Sequence, residues 1–333
     1  MPQKHILIIG GTGILGKSII QEALKTGAKI TVIGLSIDTS IPQEVTQIVV
    51  DRKNEQEFDN LASNISQVDI LIDVADFDKK DAEQTYLSFK QKAKHFFIIS
   101  TTLVYDRTKP FDKPIPSSYP LAKKGTLGGY ADKKLDIEQF WQSIKDVNWT
   151  ILRPYHILSP QDSLLGCIPD HNRDPELIER IKRGEPLVLC DGGNVRFNFI
   201  DARDIAKIIL KAAGNNKTFH KAYNVVNPQE IIAKKYYEII GQELGKQVII
   251  KNKSLNEVWK ENKGWQLTTL PNLYDISDLK RDINFAPTIS INQSLKEAIA
   301  EYQHVKKPIS EIPVHQRMTL LPRPKPIKWL LDQ

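Results

Sequence analysis

Hydrophobic residues in the first half of the chain gather in short runs at 6–9, 30–33, 48–50, 70–74, 96–99 and 150–152, mostly of Ile, Val, Leu and Phe. Between them lie amphipathic stretches. Of these, 17–25, 55–62 and 82–91 set apolar residues three and four positions apart among good helix formers. Short β-branched runs alternating with helices imply parallel strands joined by crossover helices and covered on both faces. Six such strands before residue 155 predict an α/β chain built on a doubly wound, Rossmann-type parallel sheet. Beyond Pro154 the rhythm breaks: residues 159–175 are interrupted by Pro, Asp and Asn, 176–182 read as a helix, and mixed segments come after it. We therefore expect residues 1–154 to form the sheet domain, with later segments returning to it. Residues 155–305 would be mainly a smaller lobe over the sheet's carboxyl edge. The stretch 306–333, with five prolines and six Lys or Arg residues, reads as an extension without regular structure.

Directly after the first run comes Gly10-Gly11-Thr12-Gly13-Ile14-Leu15-Gly16, and a helix pattern begins at once. Glycines at 10, 13 and 16 let the backbone turn tightly and approach a pyrophosphate, whose charge then sits at the positive end of the helix dipole. Between a strand and a helix, this trio predicts a dinucleotide site formed by Gly10, Thr12, Gly13, Ile14, Leu15 and Gly16. The second run ends Val32-Ile33-Gly34-Leu35-Ser36, without the acid that would hold adenosine ribose hydroxyls or the Arg that would hold a 2′-phosphate. Gly34 is placed in the same site. Asp51 and Arg52, after the third run, either flank the adenosine half or form an ordinary strand end, so the cofactor is expected as NAD or NADP.

Further along, Ser100-Thr101-Thr102-Leu103-Val104-Tyr105 follows the fifth run, and Tyr130-Ala131-Asp132-Lys133-Lys134 opens a helix that continues to Glu138. A Tyr and a Lys four positions apart share one helix face, so the ammonium can stabilise a phenolate and draw the phenol from about 10 toward working pH. Tyr119 and Lys123 repeat the spacing, but glycines at 125, 128 and 129 interrupt any helix continuing beyond Lys123. Tyr130 and Lys134 are the favoured pair.

With these motifs the chain resembles the extended short-chain dehydrogenase/reductases, the epimerases, dehydratases and reductases of nucleotide sugars. The resemblance spans residues 5–302. It rests further on Leu152-Arg153-Pro154 with Pro160, on residues 180–186, on Arg196-Phe197-Asn198-Phe199-Ile200-Asp201 with Asp204-Ile205-Ala206, and on Asp275-Ile276-Ser277 with Phe285 and Pro287. It implies that Tyr130 is the acid/base, that Lys134 lowers its pKa and binds the nicotinamide ribose, and that Thr101 hydrogen-bonds the reacting alcohol or ketone. Val74, Ala75, Ser100 and Pro154 would complete the cofactor site. Thr102, His156 and Arg196 would meet the substrate, Arg196 at the diphosphate of a sugar nucleotide. The activity implied is NAD(P)-dependent epimerisation or ketone reduction of a nucleotide-linked sugar.

Thr102-Leu103 stand where the family's dehydratases carry Asp-Glu, which disfavours dehydration. Asp76 ends the fourth strand where small apolar residues or His are usual beside the cofactor. Residues 50–53, 69–73 and 148–150 are also similar to the chloroplast stem-loop RNA-binding proteins, which makes RNA binding on the same fold the alternative. Those relatives tend to lose the catalytic Tyr that this chain keeps.

Composition narrows the picture little further. A chain of 333 residues, 41% hydrophobic and 26% charged, is neither a disordered polyampholyte nor a disulfide-stapled module. The excess of 46 Lys and Arg over 40 Asp and Glu is +6, and residues 306–333 carry four of those six charges, so the body is nearly neutral and a nucleic-acid partner is disfavoured. The apolar run at 6–9 is too short for a signal peptide, and no stretch approaches the about 18 apolar residues of a membrane span. Cys167 and Cys190 stand in no metal-ligand spacing, and so few cysteines suit a reducing compartment. The expectation is a cytoplasmic, metal-free enzyme whose partners are a nucleotide sugar and a second copy in a homodimer.

Overall fold

The structure is a computed structural model that describes residues 3–107, 111, 113–160, 176–260 and 269–304. Cys167 and the extension 306–333 lie outside the described residues. The first lobe runs β1 (His5–Ile9), α1 (Ile14–Leu24), β2 (Lys29–Gly34), β3 (Thr46–Val49), α2 (Glu55–Asn64), β4 (Ile70–Asp73), α3 (Lys79–Phe89), β5 (Phe96–Ile99), α4 (Gly129–Ser143) and β6 (Trp149–Pro154). Next come β7 (Ile157–Leu158), α5 (Leu177–Lys182), β8 (Leu187–Cys190), β9 (Arg196–Asp201), α6 (Ala202–Ala212), β10 (Lys221–Val225) and β11 (Asn227–Ile232). The last elements are α7 (Ala233–Glu243), β12 (Ile250–Lys253), α8 (Leu255–Lys260), α9 (Ser277–Ile283) and α10 (Ile291–His304).

Seven parallel strands form a Rossmann sheet in the order β10-β6-β5-β4-β1-β2-β3. Alternate residues of the apolar runs feed opposite faces. Ile6, Ile8, Ile30, Val32, Ile70 and Ile72 pack with Ile19, Ile20 and Ala23 of α1 and Ile205, Ile208 and Ile209 of α6. Leu7, Ile9, Ile33, Leu71, Phe96 and Ile98 pack with Phe58, Phe89, Ile137 and Trp141 of α2, α3 and α4. Burial on both faces is why these strands read as continuous apolar runs. The seventh strand, β10, is not among the runs read from sequence, because its Lys-Ala-Tyr-Asn-Val mixes polar and apolar positions. Helix α3 starts earlier than its apolar period indicates because the Asp78 carboxylate accepts the Asp81 amide and caps it.

The chain builds outward from β1 to β3, then returns to the other side of β1 with β4. This reversal opens a crevice at the carboxyl ends of β1 and β4, the usual place for a ligand in such a sheet. Outside this sheet, β7, β9 and β11 form one small sheet and β8 with β12 another. They share a core with Leu177, Ile178, Phe197, Tyr236, Tyr237 and Leu295.

Candidate active site at the strand reversal

The glycine turn occupies the crevice. Gly10 has φ of +82°, and a Cβ there would stand 2.6 Å from the Ala75 Cβ, so this turn presses on the chain leaving β4. A Cβ on Gly16 would run into the Gly11 carbonyl, which is why α1 can start against the turn only with glycine there. Gly13 differs: its φ of −80° suits any residue, and a Cβ there would meet nothing within 4 Å. No internal packing demands glycine at 13. It is exposed at the N-cap of α1, with no side chain capping the helix. A bare helix N-terminus with room at its tip fits a pyrophosphate. Gly13→Ala is accordingly expected to leave the thermal midpoint nearly unchanged while weakening dinucleotide binding by at least about tenfold, near 1.4 kcal/mol. Gly16→Ala should lower the midpoint itself. Thermal melts with and without NAD separate the two.

Helix α4 brings Tyr130 and Lys134 to the same edge. The Lys134 ammonium lies 5.9 Å from the Tyr130 ring centre. It donates to the Asp76 carbonyl at 2.6 Å, Asp76 Oδ1 at 2.7 Å and the Ile99 carbonyl at 2.8 Å, so one lysine ties α4 to the ends of β4 and β5. Burial opposes its charge, but Asp76 and Tyr130 outweigh that and raise its pKa. The Tyr130 phenol is also held above its ordinary value, because burial, with Asp76 adding, outweighs the pull of Lys134. This differs from the sequence expectation of a lowered phenol; besides burial, the cause is Asp76, which offsets the lysine's charge. The other pair is differently placed: Tyr119 lies outside any helix, edge-on to Tyr105 and Phe111 at 6.1 and 5.3 Å, and Lys123 is exposed.

Thr101 precedes a helical turn at 102–104, where its hydroxyl oxygen accepts the Leu103 amide at 3.2 Å and its own proton stays free to be donated. Thr102 is fully buried. Ser100 donates to Glu138 at 2.5 Å, and Arg153 grips the same carboxylate through Nε and Nη2 while also donating to the Tyr105 hydroxyl at 2.9 Å. This buried network holds α4 against β5 and β6. Glu138 and Arg153, which the sequence offers only as motif members, emerge as the groups that tie α4 to β5 and β6. The signal was available: an acid and an arginine inside apolar segments require each other.

Arg52, raised from sequence as a phosphate ligand, turns inward. Its guanidinium donates to both Asp73 oxygens at 3.2 and 3.1 Å, to the Ala75 and Asp81 carbonyls at 3.0 and 2.6 Å, and to Thr85 at 2.8 Å. These bonds occupy the fork it would have offered a phosphate. Asp51 is exposed, its carboxylate accepting the Lys53 amide. Gly34 sits beside Thr12, while Ile14 and Leu15 are half-buried in the first turn of α1. Val74, Ala75 and Pro154 line the carboxyl edge at the ends of β4 and β6. His156 adopts φ of +43° and sets its ring edge-on to Phe197 and Tyr236 at 5.6 and 5.4 Å. Arg196 opens β9, half-exposed, in an ion pair with Glu230 at 3.0 Å. Such exposed pairs are worth about 0–1 kcal/mol.

In comparisons with known proteins, the NAD dependent epimerase/dehydratase family matches residues 6–226. No curated protein matches in sequence. Among solved structures, an epimerase of Methanothermobacter thermautotrophicus superposes with a TM-score of 0.72 at 12% identity, over 91% of this chain and 93% of its own. The dTDP-glucose 4,6-dehydratase of Bacillus anthracis, in complex with NAD, gives 0.71 at 15% identity, over 91% and 97%. UDP-glucose 4-epimerase of Thermotoga maritima, with UDP-glucose, gives 0.70 at 16%, over 91% and 100%. These likenesses establish the shared fold. Among the described residues no helix is long and apolar enough to cross a membrane.

Proposed function

Because the chain belongs to the NAD dependent epimerase/dehydratase family, we propose that it is an NAD(P)-dependent epimerase or ketoreductase of a nucleotide-linked sugar, with Tyr130 as its acid/base. The observation that carries this reading is the convergence of three parts on one edge. The open helix tip at Gly13, the Tyr130 and Lys134 pair and the Thr101 hydroxyl all sit at the carboxyl ends of β1, β4 and β5.

Gly10, Gly13 and the first amides of α1 would hold the pyrophosphate, and Thr12, Gly34, Val74, Ala75 and Pro154 would line the rest of the dinucleotide, which would supply a hydride acceptor and donor when bound. Thr101 donates its proton to the reacting oxygen and orients it. Tyr130 takes the hydroxyl proton of the sugar as a ketone forms, and returns it when the ketone is reduced. The nearby ammonium of Lys134 stabilises the phenolate that exists before the proton is taken and again after it is returned. Leu103, which carries no proton, gives no help to an elimination of water. Arg196 exchanges Glu230 for the substrate diphosphate.

A binding screen of nucleotide sugars against protein loaded with NAD or NADP tests the reading, with nicotinamide absorbance followed during turnover. A reductase consumes cofactor, whereas an epimerase recycles it and leaves the absorbance flat. Absence of binding by any nucleotide sugar would overturn the assignment.

A further inference from the structure

An ammonium has three hydrogens to donate, and in this chain all three of Lys134 are taken by Asp76 O, Asp76 Oδ1 and Ile99 O. None remains for a nicotinamide ribose hydroxyl, the ligand that the family resemblance implies for this lysine. Two of the three acceptors are backbone carbonyls fixed by the ends of β4 and β5. The third is a side chain that can rotate. Asp76 is 1% exposed, and its other oxygen, Oδ2, is buried with no hydrogen-bond partner. A buried carboxylate with one oxygen unsatisfied is costly to hold, and its ion-pair partner is the buried ammonium of Lys134. Next to Asp76, Ala75 fills the place against Gly10.

We infer that Asp76 is a latch on the dinucleotide site: its carboxylate occupies the Lys134 donor that a nicotinamide ribose diol needs, and must swing aside or lose its charge before that diol can bind. The inference rests on the proposed dinucleotide function and deepens it by naming the residue that sets cofactor affinity.

The latch has a proton handle. Burial pushes the Asp76 carboxyl up to about 7, with Asp73 of β4 adding to the rise, and with Lys134 of α4 and Arg52 from the loop before α2 opposing it. Tyr130, also on α4, faces Asp76 as well, and Asp81 of α3 pairs with Arg52 at 3.5 Å. Arg52 and Lys134 both hold their protons more firmly than usual, so they stay charged while Asp76 titrates. Below pH 7 Asp76 is neutral, its hold on Lys134 weakens, and the ammonium is available. Above pH 7 the ion pair forms and competes with the ribose.

If only the unlatched form binds, the apparent dissociation constant rises as the unlatched fraction falls, about tenfold between pH 6 and pH 8. Calorimetric titration of the full chain with NAD and NADH, at pH 6, 7 and 8, reads this directly. Wild type is expected to weaken about tenfold across that range. Asp76→Asn and Asp76→Ala should bind about tenfold tighter than wild type at pH 8 and show little pH dependence. The wild-type profile carries the test if a variant fails to fold. A flat wild-type profile, or variants that bind more weakly than wild type at pH 8, would show Asp76 to be a support for Lys134 and overturn the latch while leaving the dinucleotide reading intact. No binding by wild type or variant at any pH would overturn both.

Discussion

Tyr130→Phe is expected to lower turnover of a nucleotide sugar by roughly 100- to 10,000-fold while leaving dinucleotide binding close to wild type. The substitution keeps the ring that lies 5.9 Å from the Lys134 ammonium and removes only the phenolic oxygen, so packing and the lysine's contacts survive. What is lost is the group that takes and returns the proton, a deficit of about 3–5 kcal/mol in the transition state. The pH profile supplies a second check. Burial holds the phenol above its ordinary value in the unliganded chain, so the rate of the oxidative half-reaction should climb with pH as the phenolate forms. The residual rate of the variant should not. Steady-state kinetics of both proteins against one nucleotide sugar, with NAD titrations alongside, decides it. Full turnover by Tyr130→Phe would remove Tyr130 from the chemistry.

The largest stability effect is expected from Arg52→Met. Asp73 and Asp81 are both buried, and Arg52 meets them at 3.1 and 3.5 Å, with Lys53 reaching Asp81 at 2.5 Å from the surface. Removing the guanidinium leaves Asp73 without a counter-charge in the core, at a cost of about 3–5 kcal/mol. Thr85 and the Ala75 amide still donate to Asp73, but neither brings charge. In a chain of this size that loss corresponds to a drop of roughly 4–7 °C in the thermal midpoint. Arg52→Met with Asp73→Asn should recover part of the deficit because the stranded charge is gone. A double-mutant cycle by urea denaturation measures the coupling. Independent, additive losses would contradict the pairing.

The same residue shows where sequence reading reaches and where it stops. The sheet is readable because parallel strands buried on both faces are largely apolar, as the runs at 6–9 and 96–99 are throughout and those at 30–33 and 70–74 are apart from Thr31 and Asp73. The turn at Gly10 to Gly16 was readable because only glycine readily tolerates the +82° φ of Gly10 and the contact at Gly16. Arg52 was harder, since an Arg after a strand looks the same whether it faces a phosphate or folds inward. Its destination depends on Asp73, which β-strand register brings beside Ile9 and Ile98 in the middle of the sheet. Lys134 was placed on the right helix by its spacing from Tyr130, yet the use of its charge depends on Asp76, 58 residues away in the chain. Strand β10 escaped because Asn224 and Lys221 interrupt its apolar pattern; Asn224 is buried, and its side chain is bonded to the carbonyls of Ile115 and Asp275.

Sugar chemistry at the Tyr130 edge is tested most directly by proton NMR of a panel of UDP-, dTDP-, GDP- and ADP-linked hexoses incubated with the NAD-charged protein. One of them is expected to develop a second set of sugar signals, from an epimer or a reduced ketone, and Tyr130→Phe is expected to suppress it. Unchanged sugars across the panel, with NAD demonstrably bound, would contradict the proposed activity.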